Sequence, residues 1–228
     1  CNPTPQRSRL RLPPRLHQLP IKSTQHRNLI HKCTPNMTVV LFRVYFIRYT
    51  ECMKISYFVH SITKDNERGV ASGWLETELS DEGVKRIKKL PELVSDASFE
   101  VIFPSDLKRA IDSAVIPFGT THKIIPDERL REANYGDLDG TPKTFKKNIK
   151  SYISKPYPNG ESYADVEKRM REFLVEKKDE GWQHIAIFGH EATQLALEVI
   201  CNQKTWEEAI DEDWRATQSW QPGWNYSY

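Results

Sequence analysis

From Met53 onward the sequence predicts an α/β fold, a three-layer α/β/α sandwich around a mainly parallel sheet. Two observations lead there, and a third sets the boundary. Short apolar runs at 54–59, 99–103 and 184–188 each stop abruptly in polar residues, as buried strands do where they reach a sheet edge. Segments with apolar residues at helical spacing follow them, so strands and helices alternate as a parallel sheet requires. The boundary is compositional: residues 1–52 hold 9 of the 33 Lys and Arg but one of the 31 Asp and Glu, leaving +8 there and −6 in 53–228.

The leader comes first. It contains no glycine, six of the fourteen prolines and three of the four cysteines, and residues 1–36 show no apolar periodicity, so it is expected to be disordered. Its apolar stretch from Val39 to Ile47 is broken by Arg43 and is far shorter than the ~20 residues that span a bilayer. The simplest reading is a basic extension that is not native to a domain beginning at Met53. A targeting leader, or a basic arm for nucleic acid or membrane, is the alternative. With the positive charge confined there, the domain itself is expected to bind neither nucleic acid nor membrane. It keeps a single cysteine, Cys201, which leaves no disulfide framework and no cysteine-based metal site. A reducing, cytoplasmic setting fits.

Within 53–228 the first strand is Lys54 to Val59. Ser80 opens a helix with Val84, Ile87 and Leu90 on one face. The second strand runs from Phe99 to Phe103. Ser105 then stands where an N-cap would begin a helix carrying Leu107, Ala110, Ile111 and Ala114. Lys123 to Ile125 reads as a short third strand. Residues 136–160, rich in Gly, Pro, Lys and aromatics, read as an insertion over the sheet. Ser162 caps a long helix that Gly181 ends, and a fourth strand from His184 to Phe188 leads into Gly189, His190 and another helix.

In such sheets ligands gather beyond the carboxyl ends of the strands. Three strands end at His60, at Ser105 with Arg109 a turn later, and at His190. Two imidazoles and a guanidinium at one edge suit a dianionic phosphoryl group, because Arg offers a planar fork of donors and His can attack as well as donate.

Around these residues the sequence resembles the histidine phosphatase superfamily, which includes the cofactor-dependent phosphoglycerate mutases, and the resemblance extends over essentially all of 53–228. The run Val59-His60-Ser61-Ile62-Thr63-Lys64-Asp65-Asn66 matches the family's opening motif. Ser72-Gly73-Trp74 and Leu79-Ser80-x-x-Gly83 match the segments that follow it. Ser105 to Ala110 contains the second arginine motif, Leu130 to Gly136 the acid motif, and Gly189-His190 the second histidine. The resemblance implies a phosphoglycerate mutase-like fold and a phosphatase with His60 as nucleophile and Glu132 as proton donor. Arg109 and His190 would hold the phosphoryl oxygens. Asn66, Ser61, Thr63 and Gly73, all in the matching segments, are expected substrate contacts. No metal and no organic cofactor is implied, and the partner is a small phosphorylated substrate. Oligomeric state is not legible.

The pattern departs from the family at Val59, where an arginine normally precedes the nucleophile. Lys64 or Arg68, in the following loop, is the expected substitute cation, which adds Arg68 to the substrate contacts. Ser61 stands for a glycine and could add a hydroxyl donor. Glu191 adds a negative charge after His190. A catalytically weakened relative that binds a phosphorylated metabolite or protein is therefore an alternative, as is a phosphoglycerate mutase. The insertion between Gly136 and Gly160 is short for a mutase, which favours hydrolysis. Lys143, Lys146, Lys147 and Lys150 within it read either as a steering patch or as a solvated helix face. The tryptophan-rich tail from Trp206 to Trp224 reads as core packing or docking against the domain, with an aromatic wall beside the pocket as the alternative.

Overall fold

The strand β1 (Lys54–Val59) is central, with a neighbour on each side. A computed structural model of the chain describes residues 52–94, 98–217 and 221–228. The chain divides into two units, Cys1–Phe46 and Ile47–Tyr228, and the sheet belongs to the second. The expected disorder over 1–52 lies outside the described residues, except at Cys52.

After β1 come α1 (Lys64–Glu67), β2 (Val70–Ala71), α2 (Asp81–Ile87), α3 (Leu90–Leu93), β3 (Val101–Pro104) and α4 (Lys108–Phe118). The insertion contributes β4 (Thr141–Pro142) and a 3-10 stretch, Lys143–Tyr152. Then follow α5 (Tyr163–Asp179), β5 (His184–Gly189), α6 (Glu191–Asn202), α7 (Trp206–Asp211), α8 (Trp214–Thr217) and β6 (Trp224–Ser227). The main sheet has the order β3-β5-β1-β6, parallel except at β6, and β2 pairs with β4 in a separate ribbon.

Alternation along the strands explains the layers, since successive side chains point to opposite faces. Ile55, Tyr57, Val101, Phe103, Ile185 and Ile187 pack in one buried cluster with Val166, Met170 and Phe173 of α5 and Leu195 and Ala196 of α6. Phe58, Ile102, Ala186 and Phe188 pack in the other, with Ala114 and Phe118 of α4, Ile87 of α2 and Leu90 of α3. This is the three-layer sandwich. Phe103 meets Phe173 edge-on at 5.4 Å, and each such buried ring contributes about 1.5–3 kcal/mol by leaving water.

Four local expectations change. Lys123 to Ile125 makes only a single bridge, Ile124 to Ile102, instead of a strand. The sheet instead gains an antiparallel edge, β6, from the tail read as packing. The helix expected through Leu90 breaks into α2 and α3, because Pro91 in the first turn of α3 has no N–H to continue the ladder. Ser105 is not the N-cap of α4; that position is Leu107, and the Ser105 hydroxyl is engaged elsewhere. By contrast, Ser162 caps α5 through a full capping box with Asp165, and Gly181 follows its end at φ +90°.

Candidate active site

Register aligns the strand ends. Val59 lies opposite Gly189, and Pro104 opposite Phe188, so His60, Ser105 and His190 leave the sheet at one edge. The His60 N–H donates to the Gly189 carbonyl at 3.0 Å and the Ser105 N–H to the Phe188 carbonyl at 2.9 Å, fixing these exits. Beyond the edge lies a cavity of about 680 Å³ lined by His60, Ser61, Asn66, Gly73, Arg109 and Glu132 among others. Its volume is that of a small-molecule site.

The half-buried His60 ring donates from Nδ1 to the Ser61 carbonyl at 2.7 Å. A carbonyl can only accept, so the proton sits on Nδ1 and Nε2 keeps its lone pair. Burial, reinforced by the Arg109 charge, lowers its pKa to about 3, and the ring is neutral at ordinary pH. His190 lies behind it, with ring centroids 5.0 Å apart. It is fully buried and Nε2 shares a hydrogen with the Ser105 hydroxyl at 2.7 Å. Nδ1 has no partner among the described residues. Burial first, and then Arg109, holds this imidazole well below its usual pKa. A buried nitrogen without a partner normally signals a ligand atom or water. Tyr57 braces the His190 backbone, donating to its carbonyl at 2.6 Å.

Arg109 is 2% exposed, yet meets no carboxylate within ion-pair distance among the described residues. Its guanidinium donates to the carbonyls of Gly73 (2.6 Å) and Leu75 (3.1 Å). Gly73 can offer that carbonyl because its backbone takes φ +52°, and a Cβ there would lie 1.5 Å from the Asp139 carboxylate. Trp74 joins the same brace to the acid motif: its indole donates to the Glu132 carbonyl at 2.7 Å. The buried Glu132 side chain accepts through Oε1 from the Ala133 N–H (2.9 Å) and from the Ala192 N–H at the start of α6 (3.0 Å). No described residue bonds its Oε2, and the side chain lines the cavity.

The remaining expected contacts separate. Asn66 lines the cavity, but its amide oxygen accepts the Thr63 N–H in the capping box of α1, leaving the NH2 group as a donor. Thr63 is fully buried as the N-cap of α1 and is not among the cavity-lining residues. The Ser61 hydroxyl is committed to the Gly83 carbonyl at 2.8 Å and so is not the extra donor expected of it. The reading of Lys64 or Arg68 as the substitute cation is corrected. Helix α1 turns both outward, Lys64 to Glu78 and the 70% exposed Arg68 side chain to Asp65, and neither lines the cavity.

Five cations that stand in no motif position line it instead: Arg86 and Lys89, both exposed and the first paired with Glu82, and Lys143, Lys146 and Arg215. Lys146 pairs with Glu191 at 2.7 Å. Arg215 pairs with Asp213 at 2.9 Å and lies 3.8 Å from Glu191. Glu191 is thus not a lone repulsive charge, and its carboxyl is held below the usual range against burial, chiefly by Lys146. The lysine-rich insertion is the sequence signal for Lys143 and Lys146. Arg215 has none, standing between Trp214 and a segment of little pattern.

The fold and this arrangement define a class. The histidine phosphatase superfamily (branch 1) matches residues 58–224, and the chain belongs to that superfamily. Phosphoserine phosphatase 1 of Hydrogenobacter thermophilus is 26% identical over 156 residues, covering 64% of this chain and 74% of that protein. A 2,3-bisphosphoglycerate-dependent phosphoglycerate mutase of Cytophaga hutchinsonii is 31% identical over 131 residues, covering 52% and 61%. Among solved structures, a mycobacterial glucosyl-3-phosphoglycerate phosphatase superposes with a TM-score of 0.64 at 23% identity, covering 71% of this chain and 85% of that one. Among the described residues no helix is long and apolar enough to cross a membrane.

Proposed function

We propose that the protein hydrolyses small phosphomonoesters through a phosphohistidine on His60. The observation that carries this reading is the tautomer: Nδ1 is tied to the Ser61 carbonyl, which leaves Nε2 neutral, with its lone pair free, in the cavity that Arg109 and Glu132 also line.

In the first step the Nε2 lone pair attacks phosphorus, the P–O bond to the leaving group breaks, and Glu132, entering protonated, gives its proton to the departing oxygen. In the second step Glu132, now a carboxylate, takes a proton from water as the hydroxyl attacks phosphorus. The P–N bond breaks, inorganic phosphate leaves, and the imidazole returns to its neutral form. Arg109, His190 through Nδ1, and the Asn66 amide supply donors to the phosphoryl oxygens. Held in place by the fold, they stabilise charge spread over those oxygens without reorganising. The short insertion favours water over a retained phosphoenzyme as the second acceptor.

The test is hydrolysis of p-nitrophenyl phosphate by the full chain beside His60→Ala, with an acid-labile, base-stable phosphoenzyme sought after rapid quench. Loss of at least ~10³-fold in kcat/KM and of the phosphoenzyme is expected. An unchanged rate in His60→Ala sinks the reading.

A further inference from the structure

The cavity into which an arginine before His60 would open is also lined by Arg215 of α8, from a distant part of the chain. In the β1–β6 ladder Tyr57 lies opposite Trp224, so the chain entering β6 crosses β1 just short of Val59. A Cβ on Gly223 would lie 2.7 Å from the Phe58 ring, which shows how closely that chain covers the strand end. Val59 packs on the α5/α6 face of the sheet. Arg215 lies on that same face, against the first turns of α6, where it reaches Gln194 at 3.2 Å and Glu191 at 3.8 Å.

Its side chain is 25% exposed and doubly fixed. One nitrogen donates to both Asp213 oxygens, at 3.0 and 2.9 Å, and the guanidinium stacks 4.4 Å from the Trp214 ring centroid. Asp213, Gln194 and Trp214 hold the plane; Nε–H, whose nitrogen lies 3.8 Å from a Glu191 carboxylate oxygen, and one further N–H make no hydrogen bond among the described residues. A guanidinium so held is a preorganised fork for phosphoryl oxygens. Its charge acts on His60 more strongly than that of Lys143. Lys143 is the weaker candidate on position as well, because its backbone is anchored to Gly69 on the β2–β4 side of the cavity.

We infer that Arg215 is the phosphoryl-binding arginine that replaces the one missing before His60, presented to the cavity from α8 beside the first turns of α6. This rests on the phosphatase reading, and the experiment separates the two.

Inorganic phosphate binding to the full chain, measured by isothermal titration, is the primary probe, because it needs no turnover. Arg215→Met is expected to weaken it by ~10–100-fold and to lower kcat/KM for p-nitrophenyl phosphate similarly, with an intermediate loss in Arg215→Lys, which keeps charge but not the fork. Adding Val59→Arg to Arg215→Met is expected to restore phosphate affinity to within about threefold of the parent, a rescue that a merely structural arginine would not give. Where Arg215→Met fails to fold, Arg215→Lys alone and with Val59→Arg carries the same comparison. Phosphate affinity within about twofold of the parent in the folded Arg215 variants, or no rescue by Val59→Arg, overturns the assignment. His60→Ala retaining turnover would instead overturn the phosphohistidine reading and leave the phosphate titration of Arg215 to stand by itself.

Discussion

The strand-end edge and the cluster beside it both carry cations, but they treat those cations differently. Arg109, at the edge, is braced by the carbonyls of Gly73 and Leu75. In the cluster, Lys146 meets Glu191, and Arg215 meets Asp213 and, more distantly, Glu191. A carbonyl dipole orients a guanidinium without cancelling its charge, whereas a carboxylate removes most of it from the field. The edge therefore presents uncompensated charge to an incoming anion. The cluster holds its shape, and of its members Arg215 keeps donors to spare.

The largest expected effect tests the edge at its acid. Glu132→Gln keeps an acceptor for the Ala133 and Ala192 N–H groups but removes the proton. kcat/KM should fall about 10²–10⁴-fold for an alkyl phosphate and much less for p-nitrophenyl phosphate, whose leaving group needs little protonation. Equal losses on both substrates would break the assignment of Glu132 as acid. Next, Arg109→Met should cost ~10²–10³-fold, while Lys146→Met costs less than about tenfold, since its charge is spent on Glu191. Matching losses in the two variants would erase the contrast between edge and cluster.

Titration sharpens the same contrast. The folded state holds His60 at about 3, and His190 also well below its usual value, both through burial. Both rings are therefore proton-poor in the native protein and take protons first when unfolded. Stability should be intact above about pH 6.5 and be lost as pH falls from there toward 3, with a slope of at most ~1.4 kcal/mol per pH unit for each ring. Thermal unfolding followed from neutral to mildly acidic pH should show the decline, and His60→Asn should make it shallower. A pH-independent midpoint would refute the neutral-imidazole description.

Much of the edge is legible in the sequence because its parts are local. An apolar run that stops at a histidine places that histidine at the end of a strand whatever the rest of the chain does, and His60 and His190 follow from that rule, with Arg109 a turn beyond a third strand end. What local sequence does not show is commitment. Thr63 and Ser61 stand in the matching motif, yet one caps a helix and the other bonds Gly83, because helix α1 and the close approach of α2 take their hydrogen bonds first. Gly83 permits that approach, since a Cβ there would lie 2.0 Å from the Ile62 carbonyl. Arg215 is illegible for the opposite reason: its position depends on tertiary contacts with Gln194 and Glu191 of α6, the first of them 21 residues earlier in the chain, and no spacing rule reports that. Ser105 shows a local rule giving way to a tertiary contact. It has the residue type and position of an N-cap, but the buried His190 takes the hydroxyl.

The smallest effect concerns the pair that makes the cluster rigid. Lys146 and Glu191 are each 18% exposed at the side chain, between an exposed pair that contributes little and a buried one whose separation is costly. Lys146→Met leaves Glu191 facing only Arg215 at 3.8 Å, and Glu191→Gln leaves Lys146 near Lys143 without its carboxylate. Each single change should lower stability, and the double variant should recover part of the loss, with a coupling of about 1 kcal/mol in thermal unfolding. Coupling near zero would mean that the cluster is held by its aromatic contacts, such as the Trp214–Trp224 stack at 5.6 Å, and that its ion pairs merely decorate them.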